Sequence, residues 1–577
     1  VKERLRQILV ASVQETLPPF EIERPKVKAH GELSTNLAMI LARQTKQNPQ
    51  VVGQQILKSL KDPEGLIESA SMAGGGFLNF TFKKKAWHEI LHQVLQEGES
   101  FGKTKQGQGQ RVVVEYVSAN PTGPLHIGNA RGGPLGDVIS SLLQAVGYEV
   151  TREYYVNDVG GQIDKLGESI LFYIQGSCDR PIGEFVIGKD VVGYQGEYVR
   201  DLAELAQKKL GDKIPREERE AVRVLGRFAI DRMIEEIKRD CDDMGIHFDS
   251  WIHEKDILAT KTEKIIQTLK EKGVTLKKEG ALWFAMGVVR GREDLPPDSS
   301  EASGLAGAER IDRECVLERS DGRPTYFAND IAYHVSKYKK GYDRLINIWG
   351  SNHHGHVPRV QAAVKSLGYD PKKIETVLYQ YVRVKRGTEA VKMSKRGGNF
   401  VTAREVLDEV GRDAFRFFLL MRAPESHLDF DLALATKHSS ENPVYYVQYA
   451  HARLASIMRK AAEMGIPEPT KDTVLVERLE LPEEIEMIRL IHEYPEEVLR
   501  AAEKLEPHRL TFYLLELSKL FQAYYTKARE DPRYRVLTAD IDTSRAKMYL
   551  GRALKLTLFQ GLQLLGISAP EVMIQEG

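Results

Sequence analysis

Cysteine is scarce in this chain. Cys178, Cys241 and Cys315 are the only three in 577 residues, far apart and with no CxxC pair. A disulfide framework and a structural zinc site are therefore excluded as organising elements, and a reducing, cytoplasmic setting is expected. Long apolar runs are missing too. No segment reaches the roughly 18 uncharged apolar residues of a membrane-spanning helix, so no membrane partner is expected. The opening residues, Val1-Lys2-Glu3-Arg4-Leu5-Arg6, are charged and hold no apolar signal core, and Val at position 1 is read as a missing initiator Met. Net charge is absent as well: Lys plus Arg and Asp plus Glu number 82 each. That balance gives no general pull toward nucleic acid and confines RNA binding to local basic patches. A P-loop is also missing. The triplet Gly74-Gly75-Gly76 lacks the Lys-Ser/Thr ending and reads as a hairpin turn.

What is present, 42% hydrophobic and 28% charged residues, describes a folded globular chain, and its length predicts roughly three or four domains. Residues 1–105 read as a small α/β module, followed by a polar, Gly-rich linker over 102–110. Between 111 and 400, strand-like runs at 112–117, 149–156, 281–286 and 344–349 alternate with helical patterns, which predicts a parallel doubly wound (Rossmann-type) sheet. The helical, charged stretch 160–280 reads as an insertion between its two halves, and 295–307 as a surface loop. Residues 401–435 read as a connecting stem and 436–577 as an all-α bundle.

Two motifs carry the chemistry. Pro124-Leu125-His126-Ile127-Gly128-Asn129 follows the Val-rich run 112–117 and opens a helix, so His126 is placed where free N–H groups and the helix dipole attract anions. Lys392-Met393-Ser394-Lys395-Arg396 precedes Gly397-Gly398 in a loop suited to a polyphosphate. Glu115 lies inside the Val-rich run, where a carboxylate costs several kcal/mol unless paired, which predicts a cationic partner. Gly350-Ser351-Asn352-His353-His354-Gly355-His356 is rich in histidine, but no Cys or carboxylate completes a ligand set, so no protein-bound metal is predicted. Tyr524-Tyr525-Thr526-Lys527-Ala528-Arg529 interleaves rings with cations, a composition that suits unpaired RNA bases and equally a packed bundle with a solvated cationic face.

The two motifs together resemble the HIGH and KMSK signatures of class I aminoacyl-tRNA synthetases. Longer stretches resemble the arginyl-tRNA synthetase family in particular: 117–128, Glu441-Asn442-Pro443 through Arg453, His30-Gly31-Glu32 through Met39, and 564–573. The resemblance implies an arginine–tRNA ligase that forms arginyl-adenylate from ATP and arginine and passes it to the terminal adenosine 2′-OH of tRNA(Arg), with magnesium arriving on ATP. It implies a monomer without an editing domain, whose adenylate formation needs bound tRNA.

The resemblance also implies roles for individual residues. His126, Lys392 and Lys395 act in catalysis. Pro124, His126, Gly128, Asn129, His353, His356, Gln380, Val382, Lys392, Met393, Ser394 and Lys395 bind ATP. Glu115, Ser118, Asn120, Tyr326, Asp330 and His353 bind arginine, and Asn36, Asn442, Tyr446, Tyr525, Arg529 and Met573 bind tRNA. Asn129 stands where the family motif has a second His; it can donate a hydrogen bond but carries no charge. Two alternatives stay open on the residues alone: a glutamyl- or glutaminyl-type synthetase, against which Glu115 and Asp330 argue, and a non-catalytic tRNA-binding relative, for which only Asn129 speaks.

Overall fold

This computed structural model describes residues 1–13, 17–25, 27–176, 186–187, 191–194, 196–285, 315–391 and 401–573. At its centre is a five-stranded sheet built from β1 (Arg111–Glu115), β2 (Glu149–Val156), β3 (Ser250–His253), β4 (Arg344–Gly350) and β5 (Ile374–Tyr379). The spatial order is β5-β4-β1-β2-β3, and every neighbouring pair is parallel. β1 lies in the middle, which is why Val112, Val113 and Val114 are completely buried. Helix α1 (Gly132–Ala145) packs on this strand so closely that a Cβ on Gly136 would fall 2.1 Å from the Tyr116 ring.

Two features of the sheet depart from the sequence reading. The stretch 160–280 is not one insertion, because Ser250–His253 inside it is an edge strand of the parallel sheet. That strand is only four residues long and half-buried, too short to show a periodicity. The predicted strand 281–286 is not part of the parallel sheet. Ala281–Phe284 pairs antiparallel with Thr275–Lys278 and Val316–Glu318 in a separate small sheet, and Met286 lies outside the described residues. The predicted loop 295–307 and Cys178 also lie outside them.

Helix α2 (Tyr326–Lys339) precedes β4, and helix α3 (Ala403–Leu420) forms the stem, broken at Gly411 where φ is +74°. The stem returns as strand Leu428–Asp431, which pairs parallel with Val382–Arg386. Four long helices follow: α4 (Pro443–Glu463), α5 (Pro482–Lys504), α6 (His508–Lys527) and α7 (Ile541–Leu564). Arg416 of α3 ties three of these units together. Its buried guanidinium lies 2.5 Å from Asp137 Oδ2 of α1 and donates to the carbonyls of Met244 and Leu565.

The N-terminal module carries a four-stranded antiparallel sheet, in which Gly74–Gly76 form the turn of the hairpin joining Ile67–Ala73 to Phe77–Phe82. Glu32 fastens this module to the bundle: it accepts from Trp87 Nε1 at 3.0 Å and pairs with Arg489 of α5. The expected linker is stitched rather than free. Thr104, Gly107 and Gly109 donate to the carbonyls of Ala145, Val146 and Gly147, at the C-terminal end of α1. Among the described residues no helix is long and apolar enough to cross a membrane.

Candidate functional site

Strands of a parallel sheet aim their carboxyl ends at one edge, and the loops leaving β1, β2, β3 and β4 gather the polar residues there. The chain leaving β1 is strained. Val117 and Ser118 hold φ of +64° and +40°, a region costly for a β-branched residue. The turn is held by Tyr155 N donating to Ser118 Oγ at 3.1 Å and Tyr154 Oη donating to the Ala119 carbonyl at 3.0 Å. It delivers Asn120 to an exposed position.

His126 then caps the short helix Ile127–Ala130. Gly128 N donates to His126 Nδ1 at 2.8 Å, so in the neutral ring the proton sits on Nε2, a donor. A Cβ at residue 128 would stand 3.0 Å from Nδ1, which is why Gly suits that position. Asn129 is exposed at the same edge. The segment is stitched to the residues that follow the lysine motif: Ile127 N donates to Val401 O, Ala403 N donates to Leu125 O at 2.7 Å, and His126 bridges Thr402. Thr402 also caps α3 in a reciprocal box with Glu405. Lys392, Met393, Ser394 and Lys395 lie outside the described residues.

Behind His126, Arg131 is completely buried and donates to the carbonyls of Gln380, Ala423 and Ser426. Burial pushes its guanidinium down to about 10, against the opposing pull of Tyr379 and Glu425. Gln380 is fixed from the other side by Ser351 Oγ, which donates to its Oε1 at 3.2 Å. Val382, expected at the nucleotide, is buried.

Tyr326, Asp330, His334 and Lys337 form one stripe along α2, which faces the ends of β1 and β4. Asp330 Oδ2 lies 2.5 Å from His356 Nε2 and Oδ1 lies 3.0 Å from His334 Nδ1. Burial would raise this carboxyl, but the two imidazoles hold it well below the usual range. The Tyr326 ring, 61% exposed, stands 5.5 Å from that of His356. His353 is exposed, with its ring 5.7 Å from Trp349.

Two assignments change here. Glu115 was expected to meet a cationic ligand, but its cation comes from the chain itself: Lys337 Nζ lies 2.8 Å from Oε2 and both side chains are buried. His356 was expected at the nucleotide, but it is buried and spends Nε2 on Asp330. The sequence reading missed His334, Lys337 and Asn347. The first two carried a usable signal, the spacing of four and then three residues beyond Asp330.

The expected RNA-facing residues divide among three places. Asn442 is withdrawn as an RNA contact. It is buried as the cap of α4, donating to the carbonyls of Ala435 and Lys437 and accepting from Val444 N. Asn36 lines a 300 Å³ hollow on the N-terminal module with His30, Phe77 and Asn79. Tyr446 lines a 480 Å³ groove on the bundle, and Tyr525, Arg529 and Met573 line an adjoining one of 710 Å³. Arg453 and Tyr449 line both grooves, and the Arg453 guanidinium between them is clamped between the Tyr449 ring at 4.4 Å and the Tyr525 ring at 4.5 Å. The larger groove is lined by Arg453, Arg459, Lys460, Arg529 and Arg535 and by no carboxylate among the described residues.

Three family models match the chain. Residues 1–82 match the arginyl-tRNA synthetase N-terminal domain, 90–421 the class I (R) tRNA synthetase catalytic domain, and 447–573 the DALR anticodon binding domain. An arginine–tRNA ligase of Syntrophotalea carbinolica is 42% identical over 585 residues, covering 99% of this chain and 100% of that one. One of Desulfosudis oleivorans is 43% identical over 96% of this chain and 95% of its own. The fold is similar to that of Thermus thermophilus arginyl-tRNA synthetase, with a TM-score of 0.74, 24% identity, and coverage of 99% and 100% of the two chains.

Proposed function

From the premise that the chain belongs to the arginyl-tRNA synthetase family, we propose how its residues divide the work. The reaction is the ATP-dependent joining of arginine to tRNA through an adenylate. The arginine carboxylate is already a nucleophile, so the protein needs to align two anions and stabilise the charge that builds on the α-phosphorus. His126 donates through Nε2 to an α-phosphate oxygen, and Gly128 leaves room for the close approach. Asn129 adds a neutral donor. Lys392 and Lys395 hold the outer phosphates and the departing pyrophosphate, with Ser394 as a further donor. Magnesium enters on ATP as part of the substrate. Pro124, His353 and Gln380 line the adenosine side, with the buried Val382 beneath them.

Asp330 receives the arginine guanidinium, because a carboxylate held ionised by two imidazoles keeps lone pairs for a planar, bidentate cation. Tyr326 covers the guanidinium, while Asn120 and Ser118 meet the amino-acid end. Glu115 anchors Lys337 rather than touching substrate. The two bundle grooves take unpaired anticodon bases and Asn36 a second point on the tRNA. The chain acts as a cytoplasmic monomer, and the acyl group goes to the 2′-OH.

The observation that carries this division is the pairing of Leu125–Ile127 with Val401–Ala403, which ties the residues next to the lysine motif to His126. Aminoacylation of total tRNA with each amino acid supplied separately tests it. Arginine alone supports charging in the native chain, and Asp330→Asn raises the arginine KM about a hundredfold, a charge-assisted pair lost. An arginine KM unchanged by Asp330→Asn would refute the assigned pocket.

A further inference from the structure

Asp330 is one end of a continuous buried chain of hydrogen bonds. Glu115 Oε2 lies 2.8 Å from Lys337 Nζ. The same Nζ lies 3.3 Å from Asn347 Oδ1. Asn347 Nδ2 lies 3.0 Å from His334 Nε2. His334 Nδ1 lies 3.0 Å from Asp330 Oδ1 and 2.9 Å from the Asp330 carbonyl. Lys337, Asn347 and His334 are completely buried. The order of donors along the chain is forced. An ammonium has only protons to give, so it claims the Asn347 carbonyl oxygen and turns the amide nitrogen toward His334. That nitrogen donates, so His334 Nε2 must accept. The one proton of the neutral ring then sits on Nδ1, facing Asp330.

We propose that Lys337, Asn347 and His334 are positioning residues for arginine selection, a relay that fixes the His334 tautomer and through it the orientation of the Asp330 carboxylate. The inference rests on the assignment of Asp330 to the guanidinium. Its purpose follows from geometry. A bidentate guanidinium needs both carboxylate oxygens in one plane, and a carboxylate on a helix surface rotates freely about its last bond. Imidazoles on each oxygen stop that rotation, but an imidazole that can swap tautomers is a poor stop. Glu115, one strand away, supplies the negative charge that keeps Lys337 in place.

The decisive variant is Asn347→Asp in the full chain, which keeps the shape but replaces the donor to His334 with an acceptor. The arginine KM rises about tenfold, as expected for a misaligned contact, while the ATP KM stays within about twofold. In histidine-labelled protein the His334 nitrogen resonances change from an Nδ1–H tautomer to a doubly protonated ring. His334→Asn, whose amide reaches where Nδ1–H stood, retains more arginine affinity than His334→Ala. An unchanged arginine KM in Asn347→Asp overturns the relay. So does a parallel rise in the arginine and ATP KM with a lowered melting midpoint, which marks a merely structural role. Asp330→Asn is the reference. If it raises the arginine KM and the relay variants do not, only the relay fails. If it too has no effect, the assignment of Asp330 fails first.

Discussion

Lys337 Nζ and Glu115 Oε2 lie 2.8 Å apart, with side-chain exposures of 0% and 5%. An isolated charge in that position would be costly, and each residue is the remedy for the other. Removing one partner strands the second, so Lys337→Met or Glu115→Gln alone should destabilise the chain by about 3–5 kcal/mol, read as a drop in the denaturation midpoint. The double variant removes both charges and should recover most of that loss. A double variant no more stable than the worse single one would show that the pair is not coupled.

Arg131, just after the His126 motif, donates to three carbonyls and, among the described residues, to no carboxylate. Arg131→Met fits the same space but leaves the carbonyls of Gln380, Ala423 and Ser426 without that donor. The expected cost is on the order of 3 kcal/mol, since each buried acceptor left unmade costs about 1–3 kcal/mol and some will relax. Because Gln380 is among the residues proposed for the adenosine side, the ATP KM should rise more than the arginine KM. Steady-state kinetics with each substrate varied checks this, and equal rises would place Arg131 outside the nucleotide path.

Glu254, at the end of β3, is buried and accepts from Asn329 Nδ2 at 2.6 Å. The Asn157 amide, oriented to suit its partners, donates to the other oxygen at 2.9 Å. Burial pushes this carboxyl up to about 7, with Asp158 and Asp330 adding to the effect and the Asn329 bond opposing it. A folded-state value above the unfolded one means that the folded chain binds the extra proton. This contribution to stability is therefore fully present below about pH 4.5 and is lost as pH rises toward 7, by on the order of 3 kcal/mol. Asp330 has the opposite sign. Its depressed value adds stability above the ordinary carboxylate range, which is lost only as the medium becomes strongly acidic. Glu254→Gln should flatten the stability profile between pH 4.5 and 7 and leave the acid limb in place. Denaturation midpoints across that range test it, and an unchanged slope would contradict it.

The sequence exposed what local pattern encodes. Strand 149–156 was read with both ends right, and the strand through Val112–Val114 was plain from its run of valines, because buried parallel strands are written as continuous apolar residues. Ser250–His253 was invisible, because a half-buried edge strand of four residues carries no such run. At the site, Tyr326 and Asp330 were named by resemblance, and their spacing of four residues is what sets them on one face of α2. That Glu115 needed a cation was legible too, but not that Lys337 supplies it. The two lie 222 positions apart and meet only because β1 and α2 pack together. Asn442 was misread for a related reason: a polar residue at a helix start is a cap or a contact, and only the three-dimensional surroundings tell which.

Arg453 stands between Tyr449 and Tyr525 and also donates to Tyr449 Oη at 2.7 Å and to Gln522. Held by two rings and two acceptors, the guanidinium serves as a fixed partition between the grooves rather than a mobile phosphate anchor. Removing it should therefore do two things that removing an exposed cation does not. Arg453→Ala merges the grooves and frees both rings, so the tRNA KM should rise about tenfold while the arginine and ATP KM remain unchanged. Tyr525→Ala should cost about 1–3 kcal/mol of tRNA binding by losing a stacking face. Arg529 is exposed in the larger groove, so Arg529→Ala should weaken binding mildly and reduce its salt dependence by about one phosphate contact. The discriminating measurement is tRNA affinity against salt concentration for all three variants. Arg453→Ala and Tyr525→Ala should shift the line nearly in parallel, and Arg529→Ala should change its slope. A slope change in Arg453→Ala as large as in Arg529→Ala would make Arg453 an ordinary phosphate contact.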